Sequence, residues 1–225
     1  MAKPLCFAYD TAEPHWALSF KFIFSILCYL FLWYIMVSRI MEIRSFKEKD
    51  RENCRDICHK TATAPAYVKS KDLVCLLYCD YYLDNEPDNC FVLADNEDNA
   101  IGYILSAEDQ WAYTKAMKPY LKKVGRISFS EKIMHQLASL AEKGTTKKYP
   151  AHLHIDILPE GQRKGYGTKL LEALEGHLRA KGVKGVRLGV GGDNKGAHSF
   201  YEANGYVLLR SFGAFGRVYG KELLP

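Results

Sequence analysis

Residues 151–209 constrain this chain more than any other stretch, because they set strand, helix, strand, helix and strand in close succession. The run opens with AHLHIDILP, whose apolar and β-branched residues predict a strand. Pro159 ends it, since proline has no N–H for a ladder. A basic, glycine-containing turn follows. It feeds a helix in which Leu170, Leu171, Leu174 and Leu178 recur at helical spacing. Gly182 is the expected stop, with Arg179 and Lys181 in the last turn. Val186, Leu188 and Val190 alternate as a strand. Asp193 or Asn194 is placed to cap a helix through Tyr201, Gly205 to end it, and residues 206–209 to form a further strand.

The turn Gln162-Arg163-Lys164-Gly165-Tyr166-Gly167 carries the chemical signal. Gly165 and Gly167 lack a Cβ, so a ligand can approach bare backbone N–H groups at a helix start, where negative charge is favoured. Arg163 and Lys164 add positive charge. The arrangement suits a pyrophosphate; a tight strand–helix turn that binds nothing is the plain alternative. A Walker loop does not fit, because no Gly-Lys-Ser/Thr follows Gly161 at the required distance. The dinucleotide pattern G-x-G-x-x-G fails at Leu170, where its third glycine belongs.

These residues resemble the GNAT family of N-acetyltransferases. The family signature Q/R-x-x-G-x-G/A is matched by Gln162, Gly165 and Gly167, and an Asn-Ala-Tyr-Gly-aromatic series by Asn194, Ala197, Tyr201, Gly205 and Tyr206. HLHIDILP is further similar to a bacterial subset related to the acetyltransferase-like domain of eukaryotic O-GlcNAcase. The resemblance implies an α/β fold with a mixed, mostly antiparallel sheet flanked by helices. It implies an acyltransferase that moves acetyl from acetyl-CoA to a primary amine by direct attack, with no metal. Ile155, Asp156 and Ile157 would meet the pantetheine arm through backbone. The stretch Gln162, Arg163, Lys164, Gly165, Tyr166, Gly167 and Thr168 would hold the pyrophosphate. Asn194 would bind the cofactor arm and Tyr201 would protonate the leaving thiolate; a packed aromatic is the other reading of Tyr201. The general base departs from the family: many members keep a Glu five positions before the Asn, and Gly189 stands there. His152, His154 and Asp156 are the local titratable groups, sharing one side of the strand by alternation, and Asp156 is the expected base. A fold that holds CoA or a partner without turnover is the alternative.

Composition sets bounds on the rest. The 225 residues carry 31 basic and 26 acidic side chains, a net charge of +5 with the signs interleaved. That balance argues against a nucleic-acid groove and is compatible with a polyanionic cofactor. The seven cysteines include Cys54/Cys58 and Cys75/Cys79, four apart on single helix faces, read as buried thiols rather than a metal knuckle; Cys54, Cys58 and His59 are the competing metal set.

Residues 22–38 are uncharged, at the short end of a membrane span. Lys21 and Arg39 bracket the run, and Arg39, Arg44, Lys47 and Lys49 would hold the following domain in the cytoplasm. The competing reading starts the natural protein at Met41, with residues 1–40 a misassigned extension and 41–225 the acetyltransferase domain. Within that domain residues 41–47 are an expected strand, 50–61 and 70–84 two helices with Leu73, Leu76, Leu77 and Tyr81 buried. Residues 90–94 and 101–105 form a hairpin around DNEDN, and 217–223 a last strand.

An insert occupies about 107–149. Trp111, Tyr113, Met117, Tyr120 and Leu121 predict one helix. Ser128 and Glu131 predict a capping box for a second, with Ile133, Met134, Leu137, Leu140 and Ala141 on one face. A long ordered insert suits a lid over the acceptor; cover for a sheet edge or a homodimer contact is the other reading. The acceptor amine itself, small molecule or protein, is not encoded legibly.

Overall fold

Seven strands in the order β1-β2-β3-β4-β5-β7-β6 form one sheet in the computed structural model, which describes residues 41–224. The uncharged run 22–38 and both readings of residues 1–40 lie outside the described residues. Among those described, no helix is long and apolar enough to cross a membrane.

The strands are β1 (Glu42–Ser45), β2 (Cys90–Ala94), β3 (Ala100–Ala107), β4 (Ala151–Ile157), β5 (Gly185–Val190), β6 (Val207–Ser211) and β7 (Arg217–Glu222). All neighbours pair antiparallel except β4 and β5. The hairpin β2–β3 turns at Asp95, whose side chain accepts from the amides of Glu97 and Asn99 at 2.9 and 3.0 Å, the aspartate turn chemistry expected there.

Helices cover both faces. One side carries α1 (Arg51–Thr61), α2 (Pro65–Lys69), α3 (Lys71–Tyr78), α4 (Asp80–Asn85) and the insert helices α5 (Gln110–Ala116), α6 (Lys118–Ile127) and α7 (Phe129–Glu142). The other carries α8 (Tyr166–Ala180) and α9 (Lys195–Ala203). Leu170, Leu171, Leu174 and Leu178 are all buried against Leu153, Val186 and Leu188. Gly182 and Gly205 end α8 and α9 with φ of 76° and 81°, values that a Cβ would strain.

Two helix expectations need correction. The predicted helix 70–84 is two helices, because Cys79 leaves helical geometry at φ −133°, ψ −61°; no turn residue in the sequence marks that break. The first insert helix is also two: Pro119 sits in the opening turn of α6, where its missing N–H costs nothing, whereas mid-helix it would remove a bond. Trp111 is 75% exposed, while Tyr113 and Met117 are buried. The apolar face of α7 is not buried in a core: Ile133, Met134, Leu137 and Leu140 are all exposed.

Candidate active site

The site begins where β4 and β5 part. Their parallel ladder holds only Ala151 to Val186 and His152 to Arg187, whereas β3 stays paired with β4 from His152 to Ile157. The β4 edge from Leu153 onward therefore faces an opening with unpaired backbone groups, a template for an added extended chain.

Beyond that edge the chain turns into α8. Arg163 and Gly165 both take positive φ, 56° and 80°. The Gln162 side-chain amide donates to the Ile157 carbonyl at 2.6 Å, fastening the turn to β4 rather than reaching outward. No side chain caps the α8 N-terminus. Its first amides are thus free donors at the positive end of a 15-residue helix. Around Gly165 the space is open: a Cβ there would meet nothing within 4 Å. Gly167 differs, since its Cβ would stand 3.0 and 3.1 Å from the Phe200 ring. Its bare face is required by helix packing as well as by any ligand. Gln162, Arg163, Lys164 and Gly165 are exposed, and Tyr166, Gly167 and Thr168 half-buried.

Asn194 is the N-cap of α9, its side-chain oxygen accepting from the Ala197 amide at 3.0 Å. That oxygen orients the helix carrying Tyr201. Tyr201 is 7% exposed among Phe200, Tyr206 and Tyr219, on the sheet face shared with Leu153 and Ile155. Burial, then the charge of Asp156, push its hydroxyl above the ordinary tyrosine range.

His152, His154 and Asp156 share the opposite face, as alternation required. Asp156 accepts from the Tyr103 hydroxyl at 2.6 Å. Burial pushes its carboxyl up to about 6, against the lowering effect of that bond. His152 shares a 2.9 Å hydrogen bond with Tyr82. Burial holds His152 well below the usual histidine range and His154 down to about 4, so both are neutral near pH 7.

A cleft of about 720 Å³ opens on this face between α7, the ends of β4 and β5, and the β6–β7 connection. Tyr67, Tyr78, Tyr82 and Tyr113 form its aromatic wall, and Met134 and Leu137 of α7 its apolar one. The lining includes His152 and His154 but not Asp156. Met134 and Leu137 of the exposed α7 face are thus cleft wall, which explains why they are not packed; Ile133 and Leu140 lie outside the lining. Glu131 makes half of the expected capping box: Ser128 Oγ accepts from its amide at 3.4 Å, but its carboxylate accepts from Tyr67 at 2.8 Å.

Arg187 carries no signal in the sequence. It is 0% exposed and donates to the carbonyls of Tyr149 at 2.8 Å and Ala151 at 3.3 Å, to Glu142 at 3.2 Å, and to Gln110. It pins both ends of the insert to β4 and β5. Cys54, Cys58, Cys75, Cys79 and Cys90 are buried free thiols, and His59 bonds the Val68 carbonyl at 2.9 Å. Among the described residues no group of three His, Cys, Asp or Glu side chains is disposed to hold a metal ion.

The model of the acetyltransferase (GNAT) family matches residues 52–206. The chain belongs to the GNAT acetyltransferase family. Solved GNAT-type structures agree with its fold. SsHAT is 26% identical, with a TM-score of 0.72 over 82% of this chain and 99% of its own. A phosphinothricin acetyltransferase from Sinorhizobium meliloti, solved with acetyl-CoA, is 16% identical, with a TM-score of 0.53 over 82% and 89% of the two chains. The PaiA N-acetyltransferase of Thermoplasma acidophilum, solved with coenzyme A, is 18% identical, with a TM-score of 0.53 over 81% and 99%. At those identities the last two show the fold alone. The mixed sheet and its flanking helices place the Gln162–Thr168 turn beside the parting of β4 and β5.

Proposed function

We propose that this GNAT protein is an acetyl-CoA-dependent N-acetyltransferase acting on a primary amine in a ternary complex. The observation that carries this reading is the divergence of β4 from β5 beside the uncapped N-terminus of α8. Acetyl-CoA supplies an activated thioester and a polyanionic handle. The free amides from Gly165 to Thr168 suit the pyrophosphate, with Arg163 and Lys164 adding charge. The β4 edge at Ile155, Asp156 and Ile157, which has no β5 partner, suits an extended amide-bearing arm. Gln162 and Asn194 act one step back, the first holding the turn on β4, the second capping the helix that carries Tyr201.

Tyr201 is the proton donor in this reading. Its raised pKa keeps it protonated at pH 7, and no described residue takes its hydroxyl in a hydrogen bond. Donation to a developing thiolate is what such a group offers. Tyr201→Phe keeps the ring and removes the proton, so kcat should fall about tenfold to a thousandfold with CoA affinity unchanged. Steady-state kinetics with calorimetry of CoA binding checks this; an unchanged kcat returns Tyr201 to packing alone.

The second reading is a CoA-binding module without turnover, favoured by the absence of a side chain at Gly189. Amine-dependent release of free thiol from acetyl-CoA separates the two.

A further inference from the structure

Glu142 is the last residue of α7, and its carboxylate lies beside Gly189 of β5. One oxygen, Oε2, accepts from Arg187 Nε at 3.2 Å. The other, Oε1, is 3.6 Å from where a Cβ on Gly189 would stand. Gly189 is exposed and, like Glu142, lines the cleft, so Oε1 stands at the wall just where β5 has no side chain of its own. Arg187 donates to Oε2 and leaves Oε1 towards the cleft. Asp156, by contrast, accepts from Tyr103 and is not part of the lining.

The groups facing Glu142 leave that carboxylate available. Arg187 from β5 is its partner, already committed to backbone carbonyls of β4 and the insert. His135 from α7 and His152 and His154 from β4 are pushed towards neutrality by burial. Tyr78 from α3 and Tyr113 from α5 are raised, burial first, with the Glu142 charge contributing. Arg217 from β7 stands at the cleft, and Glu131 lies at the opposite end of α7, bonded by Tyr67. Burial raises the Glu142 carboxyl, and Arg187 opposes that.

We propose that Glu142 receives the acceptor's ammonium group and takes its proton, so that the insert supplies the base that β5 lacks. This rests on the N-acetyltransferase reading. R–NH3+ gives one proton to Glu142 Oε1. The freed lone pair forms the C–N bond while the C–S bond breaks. Sulfur leaves with the bonding pair and takes a proton from Tyr201. The second nitrogen proton replaces the one Tyr201 lost, through solvent, and Glu142 releases its proton to water. The acceptor class is a primary amine that is cationic in water, carried on an apolar or aromatic body that fits Tyr67, Tyr78, Met134 and Leu137.

The test is the pH dependence of kcat/KM with one amine found active, for the wild type and for Glu142→Gln, alone and with Gly189→Asp. Glu142→Gln should lower kcat/KM about a hundredfold and abolish the acidic limb owed to the base, with CoA affinity unchanged by calorimetry. Gly189→Asp in that background returns a carboxylate to the same spot and should restore both rate and limb in part. A folded Glu142→Gln with wild-type rate and limb overturns the proposal, as does a folded double variant with no recovery. If loss of the Arg187 partner unfolds Glu142→Gln, Glu142→Asp keeps the charge but retracts it by one methylene. Its kcat/KM should fall about tenfold, and an unchanged rate overturns the proposal. Failure of the wild type to acetylate any amine sinks the underlying N-acetyltransferase reading; transfer by the wild type with an indifferent Glu142 sinks only this inference.

Discussion

Asp156 is more comfortable protonated than ionised. Its folded carboxyl titrates at about 6 against an ordinary 3.8, so the native state holds the proton more tightly than the unfolded chain. Its contribution to stability is therefore fully present below pH 3.8 and is lost as pH rises through about 6. The difference corresponds to about 3 kcal/mol at neutral pH, as an order of magnitude. Asp156→Asn keeps an acceptor for Tyr103 and removes the charge. It should raise Tm at pH 7.5 by several degrees and leave it unchanged near pH 3.5. Thermal unfolding at the two pH values checks this; a lower Tm at pH 7.5 would mean that the charge is satisfied by partners other than Tyr103.

The two turn glycines separate ligand approach from packing. Gly165→Leu places a side chain in open space at φ 80°, so it should cost about 1 kcal/mol of backbone strain. It should also weaken CoA binding at least tenfold by covering the α8 amides. Gly167→Leu drives into Phe200 and should lose stability first. Calorimetry beside thermal melts distinguishes them. Equal CoA affinity in wild type and Gly165→Leu would remove the turn from the binding site.

At the scale of elements, α7 is the departure that matters. Met134 and Leu137 are each 54% exposed while lining the cleft, so truncation removes little core packing. Met134→Ala and Leu137→Ala should shift stability by no more than about 0.5 kcal/mol. Each should raise KM for the acceptor about tenfold, without touching CoA affinity. Melting curves and acceptor KM values check both halves; an unaltered KM would make α7 a bystander. The sequence told the helix and its apolar stripe correctly and left open whether the stripe faces the acceptor, a sheet edge or a second copy. Periodicity says which residues share a face, not which surface meets that face. For α8 the same reasoning succeeded, because Leu170, Leu171, Leu174 and Leu178 meet a sheet whose own alternation was visible. The break at Cys79 carries no proline or glycine, so nothing local announced it. Glu142 and Arg187 were illegible for another reason: a charged residue in a sequence reads as solvated until its partner across the fold is known. Gly189 marked the gap at the base, but only the fold brought a carboxylate from 47 positions earlier to its side.

For the whole molecule, the sheet parts once, between β4 and β5, and the two faces bring different chemistry to that opening. The α8–α9 face offers free amides, basic side chains and a buried tyrosine. The α7 face offers an aromatic and apolar cleft with a carboxylate at its wall. A binding module needs only the first face; a two-substrate transferase needs both. The most direct measurement is thiol release from acetyl-CoA against a panel of primary amines, with the acetylated amine detected by mass spectrometry. Amine-dependent release with matching acetylated product, favouring cationic amines on apolar bodies, is the expected result. Tight CoA binding with no amine-dependent release across the panel would contradict it and leave a CoA-binding protein without turnover.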